Sequence, residues 1–425
     1  MKTVKQLKIE REQLPEPTVV PFELLGIKPI MVRDGYKQVK SFKSTIYNAI
    51  LLLGKHPNWE GKIKLNTWSN NVHVDGDPIE EFNVLDIIFQ ISSLYNVDFT
   101  KATILDAALY VAKQNPYNPF KDYIESIELT PSQRQNPVLD RWLVDYFGVE
   151  DSPIIRVYAK KWAIGCIARS LFSTLKNPIQ HDLALLLYGG QGIGKSTGLR
   201  ALAMKTEWFS DTPLDMSNTR EACIKIQGVF LYELKELAKR SGIEAEKAFI
   251  DTRVDKFRPM YGRTDIRQPR RCNLAASTND PYLFRDSSGS RRWLAVECTN
   301  IKTEELKQVV DQLWKEALEA YLAGEQWWLT NKEDDLRKEE SERFNTVHPW
   351  KHKIEDMIKG GNIIIDGMVN DISPVNIMTV LDIPINMQNK KTLSQIGYIL
   401  NELGYYKTRV RLEDGTRPTK WIKSN

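Results

Sequence analysis

Cysteine is scarce, with four in 425 residues, and Cys166, Cys223, Cys272 and Cys298 form no CxxC pair and have no histidine cluster nearby. That spacing argues against a zinc framework and leaves reduced, buried thiols as the expectation. Long apolar runs are also missing. No stretch approaches the roughly 20 apolar residues of a membrane span, and the opening MKTVKQLKIEREQLPEP carries charges throughout with no apolar core. A soluble, non-secreted, cytoplasmic protein with no membrane partner is expected. An excess of one charge is lacking too: 59 Lys and Arg against 55 Asp and Glu give a net +4, too little to name a partner. With 42% hydrophobic and 27% charged residues, the chain is neither mostly disordered nor fibrous, and its length implies two or three domains.

Residues 1–130 are expected to form a mainly helical accessory domain, since Val84, Ile87, Ile88 and Ile91, then Leu105, Ala108, Leu109 and Ala112, keep helical spacing. From 131 to 345 apolar runs alternate with helical stretches. DLALLLYGG, GVFLYE, RCNLAASTN and RRWLAVE each hold a strand-length run, which predicts an α/β core around a parallel sheet. Residues 346–425 suggest a small separate domain. One helix ends before Gly360 and Gly361, a second starts at Ser373 and Pro374, a third ends before Gly404, and a basic hairpin follows with Lys407, Arg409 and Arg411 on one side, the outline of a winged helix. A capping subdomain with a merely solvated basic face has the same outline.

The most specific signal is YGGQGIGKST. Gly189, Gly194, Lys195 and Ser196 fill the GxxxxGK[ST] template, and Gly190, Gln191, Gly192, Ile193 and Thr197 complete the loop. Glycines let backbone N–H groups wrap phosphates, a helix starting near Lys195 directs its positive end at them, and Ser196 can hold Mg²⁺. A credible strand before the loop and helix after it supply the required context, so ATP and Mg²⁺ are expected.

Acidic residues at the end of a second strand are needed next. GVFLYELKEL offers Glu233 for the metal and Glu236 for activating water, with the roles exchangeable, or with Glu236 an ordinary helix-start carboxylate. Asn279 ends the third strand, where it can orient water or simply form a turn. Arg291 and Arg292 precede the fourth strand, placed to reach a neighbouring subunit's nucleotide unless they are a solvated pair. Between the second and third strands, Lys256, Arg258, Arg263, Arg267, Arg270 and Arg271 interleave with Phe257 and Tyr261. This reads as a hairpin contacting DNA through Lys256, Arg258, Tyr261, Arg263 and Arg267, or as a solvated basic run.

In this order, YGGQGIGKST, WFSD, YELKEL, VDKFRPMYGR, STND and GSRRW resemble the virulence-associated E family, P-loop proteins of phages and mobile elements related to superfamily 3 helicases. The resemblance covers roughly residues 115–330, with a lead-in from NPVLDRW and a trailing EQWWLT. It implies an AAA+-like core, a replication role, and a homo-oligomeric, hexameric ring on single-stranded DNA. It also implies P-loop roles for Lys195 and Ser196, acidic roles for Glu233 and Glu236, a sensor at Asn279 and a finger at Arg291 or Arg292. Some members carry a primase upstream. The N-terminal region here shows no zinc motif or acidic triad, so priming would need a separate primase. A DNA-stimulated loader, and a DNA-binding regulator switched by nucleotide, remain open alternatives to a helicase.

Overall fold

The Thr45 hydroxyl accepts a hydrogen bond from Asn48 N at 3.3 Å and starts helix α1 (Ile46–Lys55), which packs with α2 (Glu81–Tyr95) and α3 (Lys101–Gln114). Leu52, Ile87, Ile91, Ile104 and Ala108 fill the core between them. The computed structural model describes residues 19–235, 243–258, 264–279, 292–342, 349–360, 364–365, 368–369, 372, 374–409 and 419–423. Besides the expected helices, the N-terminal region holds two small sheets. One is the antiparallel hairpin β1 (Ile30–Asp34) and β2 (Lys37–Ser41). The other, in the order β5-β4-β3-β6, comprises β3 (Ile63–Asn66), β4 (Asn71–Val74), β5 (Asp77–Pro78) and β6 (Pro116–Tyr117). Strands of two to five residues are too short for alternation to stand out in a sequence.

Helix α4 (Pro119–Ser126) sends Phe120 and Ile124 into the central core, where Trp68, from the β3–β4 turn, stacks on Phe120 at 4.3 Å. The Trp68 indole donates to Gly228 O at 2.8 Å, and Arg271 donates to Thr67 O. These contacts tie the N-terminal region to the centre.

The central segment starts with the short helices α5 (Pro131–Gln135) and α6 (Trp142–Phe147), then α7 (Pro153–Ile167), which is buried along most of its length. The apolar runs form one five-stranded sheet from β7 (Ala184–Tyr188), β8 (Phe209–Ser210), β9 (Leu231–Lys235), β12 (Asn273–Thr278) and β13 (Trp293–Glu297). The order is β13-β7-β12-β9-β8 and every pair is parallel, as continuous apolar runs covered on both faces predict. Alternation divides the strands between two cores. Leu185 and Leu187 join Trp162 and Trp314 on one face, while Ala184 and Leu186 join Tyr232 and Trp293 on the other. Connections are made by α8 (Lys195–Leu202), α9 (Thr219–Lys225), α10 (Ile243–Asp251) and an antiparallel hairpin of β10 (Val254–Phe257) and β11 (Ile266–Pro269). Helix α11 (Thr303–Leu322) lays Leu306, Val310, Leu313, Trp314 and Ala317 onto the sheet, and α12 (Asn331–Glu342) follows. The buried Trp314 indole donates to Leu202 O at 2.8 Å; losing this side chain would cost about 3–5 kcal/mol.

The C-terminal segment contains α13 (Pro349–Lys359), a two-residue pairing of β14 (Ile364–Ile365) with β15 (Met368–Val369), α14 (Pro374–Val380) and α15 (Lys390–Glu402). Strands β16 (Tyr405–Arg409) and β17 (Thr419–Lys423) then pair antiparallel. Ile354, Ile377, Ile396, Ile399 and Leu400 make a separate small core. All four cysteines are buried and free. Among the described residues no helix is long and apolar enough to cross a membrane.

Candidate functional site

Strand β7 runs directly into the glycine-rich loop at the carboxyl edge of the sheet, the edge where ligands bind in parallel α/β folds. Gly189 has φ +155°, and a Cβ there would lie 2.4 Å from the Cys298 carbonyl oxygen of the neighbouring chain segment. Only glycine passes this point without moving the backbone. Gly194, at φ +92°, occupies the N-cap of α8 with no side-chain cap, so the first N–H groups of that helix face the loop. Gly190, Gln191 and Gly192 are exposed along the loop, Ile193 packs on the central core, and Thr197 is exposed on the first turn of α8.

Lys195 is buried, with 8% exposure, and its ammonium donates to Gly189 O at 2.8 Å, Gly190 O at 2.6 Å and Asn279 Oδ1 at 2.7 Å. Burial lowers its pKa, opposed by Cys298 and the Glu233 carboxylate. The next residue, Ser196, donates to Glu233 Oε1 at 2.6 Å, and Ser277 donates to the same oxygen. The register explains this convergence. Glu233 lies opposite Ala275, and residues 275, 277 and 279 alternate onto the same face of the sheet, so one face of two neighbouring strands carries Glu233, Ser277 and Asn279. Ser277 is the functional candidate that sequence reading passed over, although its spacing of two from Asn279 was the available signal.

Glu233 is 1% exposed, and its Oε2 has no hydrogen-bond partner among the described residues. A buried carboxylate oxygen without a partner is costly unless a cation or donor satisfies it. Together with the Ser196 hydroxyl, it makes an oxygen-only donor set that suits a hard divalent cation such as Mg²⁺. No group of three or more His, Cys, Asp or Glu able to hold a metal occurs among the described residues, so such a cation would draw its remaining ligands from phosphate and water.

Other expected residues have different surroundings. Glu236, Arg291, Tyr261, Arg263 and Arg411 lie outside the described residues. Arg292 forms a two-pronged pair with Asp251 at the end of α10, with Nε 2.6 Å from Oδ1, and is 6% exposed. Its guanidinium is committed within the subunit rather than offered to a neighbour. In the β10–β11 hairpin, Lys256 and Arg267 are cross-strand partners and both are exposed; Arg258 is exposed beyond β10. Arg270 and Arg271 depart from the basic run to which the sequence assigned them. Arg270 is 2% exposed, bonds Asp255 Oδ1 at 2.6 Å, and lies 4.1 Å over the Phe249 ring, while Arg271 anchors Thr67. Lys407 is exposed on β16 opposite Trp421, and Arg409 is the last residue of that strand.

A family model described as the virulence-associated protein E-like domain matches residues 127–346, just over half of the chain and the whole of the parallel sheet. The chain belongs to the virulence-associated protein E-like family. The glycine-rich loop, Glu233 and Asn279 of this family member all fall inside the matched segment. Solved structures of the NrS-1 C-terminal region are also similar. An apo structure of residues 305–718 is 13% identical, covering 85% of this chain and 96% of that one, with TM-score 0.39. An A-form apo structure is 13% identical over 70% and 80%, with TM-score 0.34. No curated protein matches the chain.

Proposed function

We propose that this family member is an AAA+-like P-loop ATPase that moves on DNA during replication of a phage or mobile element. The carrying observation is the meeting of Lys195, Ser196, Glu233 and Asn279 around one glycine-rich loop at the carboxyl edge of the sheet. The strand order supports the reading. Strand β12 lies between β7 and β9, so a phosphate seated on the loop is within reach of side chains from both neighbouring strands.

In this reading the loop N–H groups from Gly189 to Thr197 and the Lys195 ammonium hold the triphosphate of ATP. Ser196 and Glu233 hold Mg²⁺, which when bound neutralises charge developing on the phosphates. Ser277 orients the Glu233 carboxylate through their hydrogen bond. Glu236 accepts the proton of the attacking water and Asn279 positions that water. Arg292 is occupied by Asp251, so Arg291 is assigned to reach the neighbouring subunit's nucleotide in a homo-oligomeric ring, a hexamer in this proposal.

Lys256, Arg258, Tyr261, Arg263 and Arg267 grip single-stranded DNA, the exposed Lys256, Arg258 and Arg267 being the described part of that surface. The three C-terminal helices and the β16–β17 hairpin form a winged helix whose Lys407, Arg409 and Arg411 add a second DNA contact. The protein works in the cytoplasm with a separate primase. Strand displacement on a forked duplex, with ATP and with a non-hydrolysable analogue, tests the proposal. Unwinding with ATP alone supports a motor, and hydrolysis without unwinding would replace it with a loader.

A further inference from the structure

The β1–β2 hairpin stands apart from every other sheet. Among the described residues neither strand pairs with a third, and residues 31–40 are exposed without a break. A two-stranded ribbon alone in water is marginal, and this one offers ten consecutive exposed residues to a partner. The charge of the segment names the chemistry. From Lys28 to Lys43 five basic residues, Lys28, Arg33, Lys37, Lys40 and Lys43, face one acidic residue, Asp34. The segment itself carries an excess of +4, and the complementary partner is a polyanion.

The register narrows the partner further. Opposed residues share a face, and the pairs Met31↔Lys40 and Arg33↔Gln38 alternate against Val32↔Val39 and Asp34↔Lys37. One face thus presents only long side chains, Met31, Arg33, Gln38 and Lys40, with Arg33 and Gln38 directly opposite. A free two-stranded ribbon fits the major groove of duplex DNA. There arginine pairs with the O6 and N7 acceptors of guanine, and glutamine with the N6 and N7 positions of adenine. Gly35, at φ +60°, and Tyr36 form the two-residue turn, which leaves Tyr36 fully exposed at the tip beside Lys37. Lys40 has one local partner, Glu23 at 3.4 Å, in a contact between exposed groups that costs little to exchange for phosphate.

We infer that the β1–β2 ribbon docks in the major groove of duplex DNA, with Arg33 and Gln38 reading bases and Lys37 and Lys40 contacting phosphates. This assigns sequence-selective duplex recognition to the N-terminal region, independently of nucleotide hydrolysis at the glycine-rich loop.

The test uses the full chain and a duplex pool randomised at its centre. The wild type selects a preferred sequence, which is then compared with a scrambled duplex and with its own single strand across a salt series. The K37Q/K40Q variant should lower the slope of log affinity against log salt by about 2, at roughly 0.9 per lost phosphate contact. The R33A/Q38A variant should lose roughly tenfold or more of the preference for the selected duplex. Nucleotide binding should be unchanged in both, showing that the fold is intact. Wild-type duplex affinity and preference in both variants overturns the inference. So does weakened binding confined to single strands. A changed assembly mass by light scattering with unchanged duplex affinity also overturns it, and makes the ribbon a contact between copies of the chain.

Discussion

Ser196, on the first turn of α8, and Glu233, in the middle of β9, are joined by a 2.6 Å hydrogen bond across 37 residues of sequence. The bond links the glycine-rich loop to the acidic strand, and the second carboxylate oxygen of Glu233 has no hydrogen-bond partner among the described residues. Glu233→Gln removes a buried charge while keeping its shape. The variant should melt at or above the wild-type temperature, because a buried carboxylate with one oxygen lacking a partner destabilises the fold. Its Mg²⁺-dependent ATP hydrolysis should fall by about 100-fold or more, as for loss of an electrostatic group at a reacting phosphate. Calorimetry and a phosphate-release assay decide the matter. A large loss of stability with hydrolysis intact would assign Glu233 to the core alone.

Arg270 and Asp255 form a pair that is almost completely buried, with side-chain exposures of 2% and 1%. Arg270→Met leaves the buried Asp255 without its ion-pair partner, which should cost about 3–5 kcal/mol in urea unfolding. Adding Asp255→Leu should restore much of it. If the single variant unfolds like wild type, the pair does not hold the hairpin base.

The fold should also lose stability in mild acid through His181. This ring is buried beside Cys166 Sγ at 3.7 Å, and burial, reinforced by the Arg169 guanidinium, pushes its pKa well below the ordinary histidine value of about 6.5. The unfolded chain then binds a proton that the native state refuses. The contribution is complete above about pH 6.5 and declines as pH falls towards the lowered native value. Urea midpoints from pH 7.5 to 5 should fall, and His181→Gln should flatten that part of the curve. An identical pH dependence in the variant would contradict the assignment.

Burial raises the thiol pKa of Cys223, Cys272 and Cys298 to about 12 and pushes that of Cys166 well above the ordinary thiol range. Iodoacetamide at pH 8 should therefore leave all four unmodified in the native chain and label them in urea. Rapid labelling of any one in the native state, read by mass spectrometry, would show that its site opens.

Local patterns carried the glycine-rich loop, the strand before it and the β10–β11 hairpin into view, because each is written in consecutive residues. The strands Ile63–Asn66 and Asn71–Val74 were not legible, being too short for a period of two to separate from loop. The fates of the arginines were hidden for a different reason. Arg292 meets Asp251 across 41 residues and Arg270 meets Asp255 across 15, and neither partner is signalled by its neighbours in sequence. Ser277 lies within the third apolar run, but its hydrogen bond is to Glu233 on the adjacent strand, and strand order emerges only from the folded sheet.

The most direct measurement is steady-state ATP hydrolysis by the purified chain and its Lys195→Ala variant, side by side, with and without single-stranded DNA. The variant leaves Gly189 O, Gly190 O and Asn279 Oδ1 without their shared donor and removes the cation proposed to hold the phosphates. The account predicts hydrolysis by the wild type that rises with DNA and is lost in the variant. Equal hydrolysis by the two proteins would contradict it.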